Sequence, residues 1–426
     1  MTTRQVITAA LRFCVRIFYR RIEMVGLERV PDGAVIFAVN HPNGLVDPLF
    51  LLCFAPRPVS FLAKAPLFGY PVIGWFARAF DGIPVYRRQD NTTGSNRETF
   101  ARAREVLQHG GSIAIFPEGT THDDPRLREL KTGVARIALG ANLDALAVIP
   151  TGIYYTAKHV FRSNALVMFG KPLPVEPGHV DANGEPPPQD VERLTAAIDD
   201  GLDAVTLQAD SHAALELIGR AEDIFTADAQ QPLAEELELR RRFVEGYHYL
   251  RAHDPARLER LQSAIAQFES ELRRAKLDVH ELTPRIDALR LFRVLVLLPL
   301  ALLGAFVSYP TYRLIGVLAR RFSKGEGAMI ATTKFLSALA LYPLTYLALA
   351  LLAGWRFTPT WGVATAIALP LLGYIALRVF EDIDDVIGDL RVMFAPREHL
   401  VQQRIRIREE FVGVAEELEA QRLTGS

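Results

Sequence analysis

The chain has 426 residues, half of them hydrophobic, with a formal net charge of −1 and a mean hydropathy of +0.13. That length exceeds one ordinary domain. The near-neutral charge excludes bulk electrostatic attraction to nucleic acid, so an anionic partner must meet a local cluster of Lys and Arg. With Cys14 and Cys53 as its two cysteines, the chain has neither a disulfide framework nor Cys-based metal spacing.

Residues 1–24 place Arg12, Arg16 and Arg20 four apart, with Ile7, Leu11, Cys14, Val15 and Phe18 on the other side of a helical wheel. The segment has no long uncharged core and no small-residue cleavage site, so it reads as an amphipathic interfacial helix and not a signal peptide. A surface helix with its apolar face on the following domain is the alternative. Residues 25–185 alternate short apolar runs with helical stretches, as an α/β domain should. Strands are expected at 35–39, 59–62, 113–116, 147–153 and 166–169, and helices at 95–109 and 130–139, giving a mixed sheet with its chemistry-bearing loops at one edge. Pro186-Pro187-Pro188 marks a break, after which 186–288 is strongly charged and reads as a helical hairpin or bundle.

Residues 289–380 hold three apolar runs, at 294–309, 335–353 and 361–377. A helical crossing takes about 20 residues, with about 17 the lower limit, so the last two predict a membrane hairpin with Trp355 and Trp361 at interface positions. The first run has Arg285, Arg290 and Arg293 before it and Arg313, Arg320, Arg321, Lys324 and Lys334 after it. Cations on both sides oppose a single crossing and favour a re-entrant or interfacial element bent at Pro299 and Pro310. A buried helical core is the other way to place these runs. Residues 381–426 return to a charged helical pattern.

The apolar run 34–39 stops at Asn40-His41-Pro42-Asn43-Gly44-Leu45-Val46-Asp47. A strand that ends at a His followed closely by an Asp offers a general base with a group to orient it, although a His beside Asn and Pro also suits a hydrogen-bonded turn. Three further blocks follow: Gly82-Ile83-Pro84-Val85-Tyr86-Arg87-Arg88, Phe116-Pro117-Glu118-Gly119-Thr120-Thr121-His122 and Val148-Ile149-Pro150-Thr151-Gly152. In order and spacing the four resemble the blocks of the glycerolipid acyltransferase family. The stretches from His41 to Pro48 and from Leu130 to Gly140 most resemble its fungal-type glycerol-3-phosphate/dihydroxyacetone-phosphate branch and the bacterial relatives of that branch. Two departures stand out. Five residues separate His41 from Asp47 where four are commoner, and Asn43-Gly44 suits the extra residue because both tolerate positive φ. Thr121 stands where the third block often has Arg.

The resemblance implies a mixed-sheet α/β acyltransferase domain that moves a fatty acyl group from acyl-CoA or acyl-carrier protein to glycerol 3-phosphate or a related acceptor. His41 would be the base and Asp47 its orienter; Arg87, with Arg88 and Lys131 as neighbours in the role, would hold phosphate. Glu118, Gly119 and Thr120 would shape the acceptor pocket, Glu118 by bonding an acceptor hydroxyl. No cofactor or metal is expected, His109, His122 and His159 being lone histidines without a ligand constellation. The expected partners are the thioester donor, the acceptor and a lipid bilayer, with the catalytic domain on the cytoplasmic side. Other readings of single residues are that Glu118 caps the helix after it and that Arg87 pairs with Asp81 or Asp90. Other functions are lysophosphatidate or lysophospholipid acylation, hydrolysis at the same dyad, and a non-catalytic lipid-binding protein on this fold.

Overall fold

The computed structural model describes residues 2–86, 96–181, 184–226, 232–275, 277, 279, 288–323, 327–394 and 398–424. It divides into two compact units, Met1–Gln208 with Gly325–Thr332, and Ala209–Lys324 with Thr333–Ser426. The first runs α1 (Thr3–Phe18), β1 (Arg21–Val25), β2 (Ala34–Val39), α2 (Val46–Phe54), β3 (Val59–Lys64), α3 (Pro71–Ala79), β4 (Ile83–Val85), α4 (Asn96–Gln108), β5 (Ser112–Ile115), α5 (Gly133–Ala141), β6 (Leu146–Tyr155), β7 (Asn164–Phe169), β8 (Leu173–Val175) and α6 (Pro188–Asp203).

The eight strands form one mixed sheet in the order β1-β7-β6-β2-β5-β3-β4, with β8 also on β6. β6 is antiparallel to β7 and β8, and the other pairings are parallel. β2 lies between β5 and β6 and is buried at all six positions, which is why its sequence is apolar throughout instead of alternating. Ala34, Ile36 and Ala38 face a core with Leu107 of α4, Ile137 of α5, and Ile198 and Leu202 of α6. On the other face Phe37 meets Phe169 edge-on at 5.7 Å. The triple proline starts a helix that returns to this core, with Pro187 at its N-cap and Pro188 inside its first turn, so the unit runs to Gln208 and not 185. Likewise 21–24 belong to β1 and not to the N-terminal helix.

α1 buries Leu11, Val15 and Phe18. Its cations also lie on the domain: Arg12 donates to the Cys53 carbonyl at 2.8 Å, Arg4 to that of Val59 at 2.8 Å, and Arg16 stands over the Phe54 ring. Val6 and Phe13 are the large apolar side chains this helix leaves exposed.

In the second unit α7 (His212–Thr226), α8 (Leu233–His253), α9 (Pro255–Ala275) and α13 (Glu398–Thr424) form a helical bundle around Ile224, Ile265, Phe268, Leu272 and Ile407. Arg257 reaches Glu410 and Glu417 of α13 at 3.1 and 2.8 Å, so charges of this segment link two helices. Between α9 and α13 lie α10 (Ala288–Phe322), α11 (Gly327–Arg356) and α12 (Pro359–Phe394). All three are long and apolar enough to cross a membrane, and at most 17% of their most apolar windows is buried, as in a membrane protein with lipid-facing helices.

α11 and α12 form a hairpin, with Gly354 against Gly362 at the turn. α10 is one continuous helix through Pro299 and Pro310. Its first half runs antiparallel to α12, with Arg293 clasping Asp382 at 2.8 and 2.6 Å and Gly304 against the Leu372 backbone. Its second half follows α11, with Thr311 bonded to Thr345 at 3.0 Å and Arg320 within electrostatic range of Lys334. The start of α10 thus meets Asp382 of α12, and its last turn approaches Lys334 of α11.

Candidate active site

β2 is parallel to both β5 and β6, so the carboxyl ends of all three open on one edge. The first and third blocks follow β2 and β5 directly, and adjacency of those strands brings the blocks together. Asn40 continues the ladder with its side chain: its amide donates to the Ile153 carbonyl at 3.1 Å and accepts from the Ile153 N–H at 2.7 Å. His41 is thereby delivered to the edge in a fixed orientation. Its backbone N–H donates to Glu118 Oε1 at 2.9 Å, across from β2 to β5.

His41 Nδ1 lies 2.9 Å from Asp47 Oδ2, which commits that nitrogen to the carboxylate and leaves Nε2 to exchange a proton. The imidazole stacks on Phe116, ring centroids 4.1 Å apart and planes 21° from parallel. Asp47 sits in the first turn of α2 and is completely buried. Its Oδ2 also accepts the Asn43 N–H at 2.7 Å, while Oδ1 accepts the Tyr155 hydroxyl at 2.6 Å. Gly44 takes φ +47°, so the extra residue of this loop is absorbed at the glycine.

Behind the dyad, Asn43 donates from its side chain to the Tyr19 hydroxyl at 3.3 Å and to the Lys158 carbonyl at 3.0 Å. Burial first, then the Asp47 charge, raises the pKa of both Tyr19 and Tyr155. Both phenols stay protonated, and Tyr155 acts on Asp47 as a neutral donor. Tyr19, Tyr155 and Phe116's stacking face are residues that sequence reasoning did not single out; the first two lie far from the blocks they serve.

Glu118 is 3% exposed and its carboxylate meets three donors of the protein: the His41 N–H, the Arg128 N–H at 3.1 Å and the His122 side chain. This differs from the expectation that Glu118 meets an acceptor hydroxyl, because its oxygens brace the loop. It also gives His122 a partner. The Asp124 N–H donates to His122 Nδ1 at 3.1 Å, so Nε2 carries the proton given to Glu118. Gly119 has φ +72°, and a Cβ there would strike the Lys131 side chain, whose ammonium therefore lies over the glycine. Lys131 and Gly119 are thus brought together beside the dyad's brace, with Thr120 next in the loop, half-buried, its hydroxyl 3.5 Å from the Thr121 carbonyl.

The fourth block is inside β6 and does not offer side chains to the site; Gly152 is required there because a Cβ would collide with the Val205 carbonyl. Asp81, a suggested partner for Arg87, pairs with Arg4 at 2.6 Å. Arg87, Arg88 and Asp90 lie outside the described residues, as does Ser95 at the start of the expected helix. Among the described residues no group of three or more His, Cys, Asp or Glu is placed to hold a metal ion.

Two family models match the chain: the acyltransferase domain over residues 21–154, which is β1 to β6, and the glycerol-3-phosphate acyltransferase 2 C-terminal domain over residues 223–419. An uncharacterized acyltransferase of Schizosaccharomyces pombe is 25% identical over 512 residues, covering 90% of this chain and 75% of that one. Glycerol-3-phosphate O-acyltransferase 2 of Saccharomyces cerevisiae is 29% identical over 285 residues, 60% of this chain and 38% of the relative. The chloroplastic 1-acyl-sn-glycerol-3-phosphate acyltransferase LPAT1 of Arabidopsis thaliana is 32% identical over 143 residues, 33% of this chain and 38% of the relative. The aligned part is thus well under half of each of those two named relatives. With the dyad at the end of β2, the braced loop after β5 and both domain models in sequence, the chain is an acyltransferase domain followed by a glycerol-3-phosphate acyltransferase 2 C-terminal domain.

Proposed function

We propose that this protein transfers a fatty acyl group from acyl-CoA or acyl-carrier protein to a hydroxyl of glycerol 3-phosphate, in phospholipid synthesis at a membrane surface. The observation that carries the reading is the His41–Asp47 pair at 2.9 Å, on a loop held by buried donors and with Nε2 uncommitted. His41 takes the acceptor's hydroxyl proton as the oxygen attacks the thioester carbonyl. Asp47 stabilises the imidazolium, as in a hydrolase triad, but the nucleophile is the substrate itself and no acyl-enzyme forms. The tetrahedral intermediate collapses with loss of thiolate, which recovers the proton from His41.

Lys131, over Gly119, supplies a cation for the acceptor phosphate, and Arg87 and Arg88 supply forked donors by family resemblance. These cations support an acyltransferase over a thioesterase, which has no phosphate to bind on its acceptor. The resemblance to LPAT1 supports lysophosphatidate as the alternative acceptor. Orientation with the catalytic unit on the cytoplasmic side is supported by Arg290, Arg293, Arg320 and Arg321 near the two ends of α10, against the lone Arg356 in the 354–361 turn.

An acceptor panel with labelled acyl-CoA, run on the full chain in detergent and in liposomes, tests the reading. Glycerol 3-phosphate should be acylated by the wild type, and His41→Ala should lower the rate about 10²–10⁴-fold in a folded protein. Acyl-CoA hydrolysis without transfer to any phosphate-bearing acceptor would overturn it.

A further inference from the structure

The α/β unit includes a segment from far along the chain, Gly325–Thr332, which contains the first turns of α11. Within this unit the Leu45 N–H donates to Thr332 Oγ1 at 3.0 Å, a contact between residues 287 positions apart. Thr332 is 3% exposed, and Ala331 beside it is completely buried. Leu45 is the N-cap of α2 and provides no side-chain cap of its own. Amides at a helix start lack intrahelical acceptors, so an outside oxygen is needed to settle them. Asp47 follows two residues later, and the direction of its carboxylate depends on where α2 begins.

A second contact of the same segment leads to the same loop. Gly327 lies so close to Asp123 that a Cβ would be 2.5 Å from Oδ2, putting a carboxylate at the N-terminus of α11, where the helix dipole favours it. Asp123 pairs with the Lys158 ammonium, and the Lys158 carbonyl holds the Asn43 side chain. Asn43 and Leu45 flank Gly44, the one residue of the loop at positive φ. The loop between His41 and Asp47 is therefore held from both sides of its glycine, through Asn43 and through Leu45.

We propose that Thr332 is a positioning residue for acyl transfer: its hydroxyl seats the Leu45 amide, fixes the start of α2 and so sets Asp47 against His41. The inference rests on the acyl-transfer reading and adds a role for the first turns of a membrane-length helix, which act as part of the catalytic scaffold. It requires the oxygen and not the shape of the side chain. Thr332→Val keeps the branched volume and removes the acceptor, whereas Thr332→Ser keeps the acceptor and removes a methyl group.

The test uses the full chain in detergent, with two readouts. In steady-state acyl transfer to glycerol 3-phosphate, Thr332→Val should lose about tenfold in kcat, the scale of one unmet buried amide, with both KM values within about twofold of wild type. Thr332→Ser should stay within about threefold. In hydrogen exchange, the peptide covering 43–50 should exchange faster in Thr332→Val than in wild type or Thr332→Ser. Equal exchange in all three proteins, or an equally impaired Thr332→Ser, would overturn the proposal. If exchange differed as expected while the wild type transferred no acyl group, the functional reading would fall and the seat itself would be supported.

Discussion

The two units treat buried carboxylates in opposite ways. In the helical unit Glu222, 3% exposed, is met by the Arg240 guanidinium at 3.0 and 2.6 Å, and Asp382, 9% exposed, by the fork of Arg293. In the α/β unit Asp47 and Glu118 are as deeply buried, yet among the described residues their side-chain and backbone partners are two histidines, a tyrosine and backbone amides, with no lysine or arginine side chain on either. The difference teaches what each charge is for. A carboxylate already matched by a guanidinium has little left to offer a second cation, so it holds helices together. Asp47, held only by neutral donors, keeps its charge available for an imidazolium that exists only during turnover, while Glu118 uses its oxygens to brace the loop after β5 against His41.

The largest effect should follow from neutralising Asp47. In Asp47→Asn an amide NH2 would have to face one of the three donors that now converge on the carboxylate, and the remaining oxygen would carry no charge to match the imidazolium. We expect a loss of about 10³-fold or more in kcat, comparable to amide replacement in a serine hydrolase triad. Single-turnover rates measured with saturating acceptor would check it; a rate within about tenfold of wild type would remove the reason for keeping arginine away from this carboxylate.

The counterpart in the helical unit should affect stability and not chemistry. Arg240→Ala leaves Glu222 buried without its guanidinium and should destabilise the protein by about 3 kcal/mol, the scale for removing one partner of a buried pair. Replacing both residues by Leu should recover most of that loss, because the pair has no role beyond neutralising itself. Thermal unfolding in detergent, followed beside kcat at a temperature where all variants are folded, checks both halves. A fall in kcat with unchanged melting would break the comparison.

How far the sequence revealed these features follows from how local each one is. β2, β5 and β6 are legible because strands buried on both faces read as continuous apolar runs. β1 is half-buried along its length with Arg21 and Glu23 in it, and β4 and β8 are three residues each with a proline, so their pattern is lost. α2 escapes because nearly every residue of its run is apolar, which erases the helical period. The dyad is legible because its members are six residues apart. Tyr155 lies 108 residues from Asp47 and Thr332 lies 287 from Leu45, so pairings that define the site are set by topology. His122 is different: its partner is only four residues away, but it is invisible to a search for metal-ligand clusters because its function is to hold Glu118.

Tyr155 gives the smallest and most specific test of the neutral-donor idea. Its raised pKa, from burial first and the Asp47 charge second, keeps the phenol protonated through any ordinary assay range, so it donates to Oδ1 at every pH tested. That donation satisfies one oxygen of a completely buried carboxylate while the other faces His41. Tyr155→Phe keeps the ring and removes the donor. One neutral hydrogen bond is worth about 1 kcal/mol, so kcat should fall roughly fivefold, with both KM values within about twofold of wild type. Steady-state acyl transfer on the full chain in detergent checks it. An unchanged kcat would mean that Tyr155 only packs the site, and that Asp47 is held by Asn43 and the start of α2 alone.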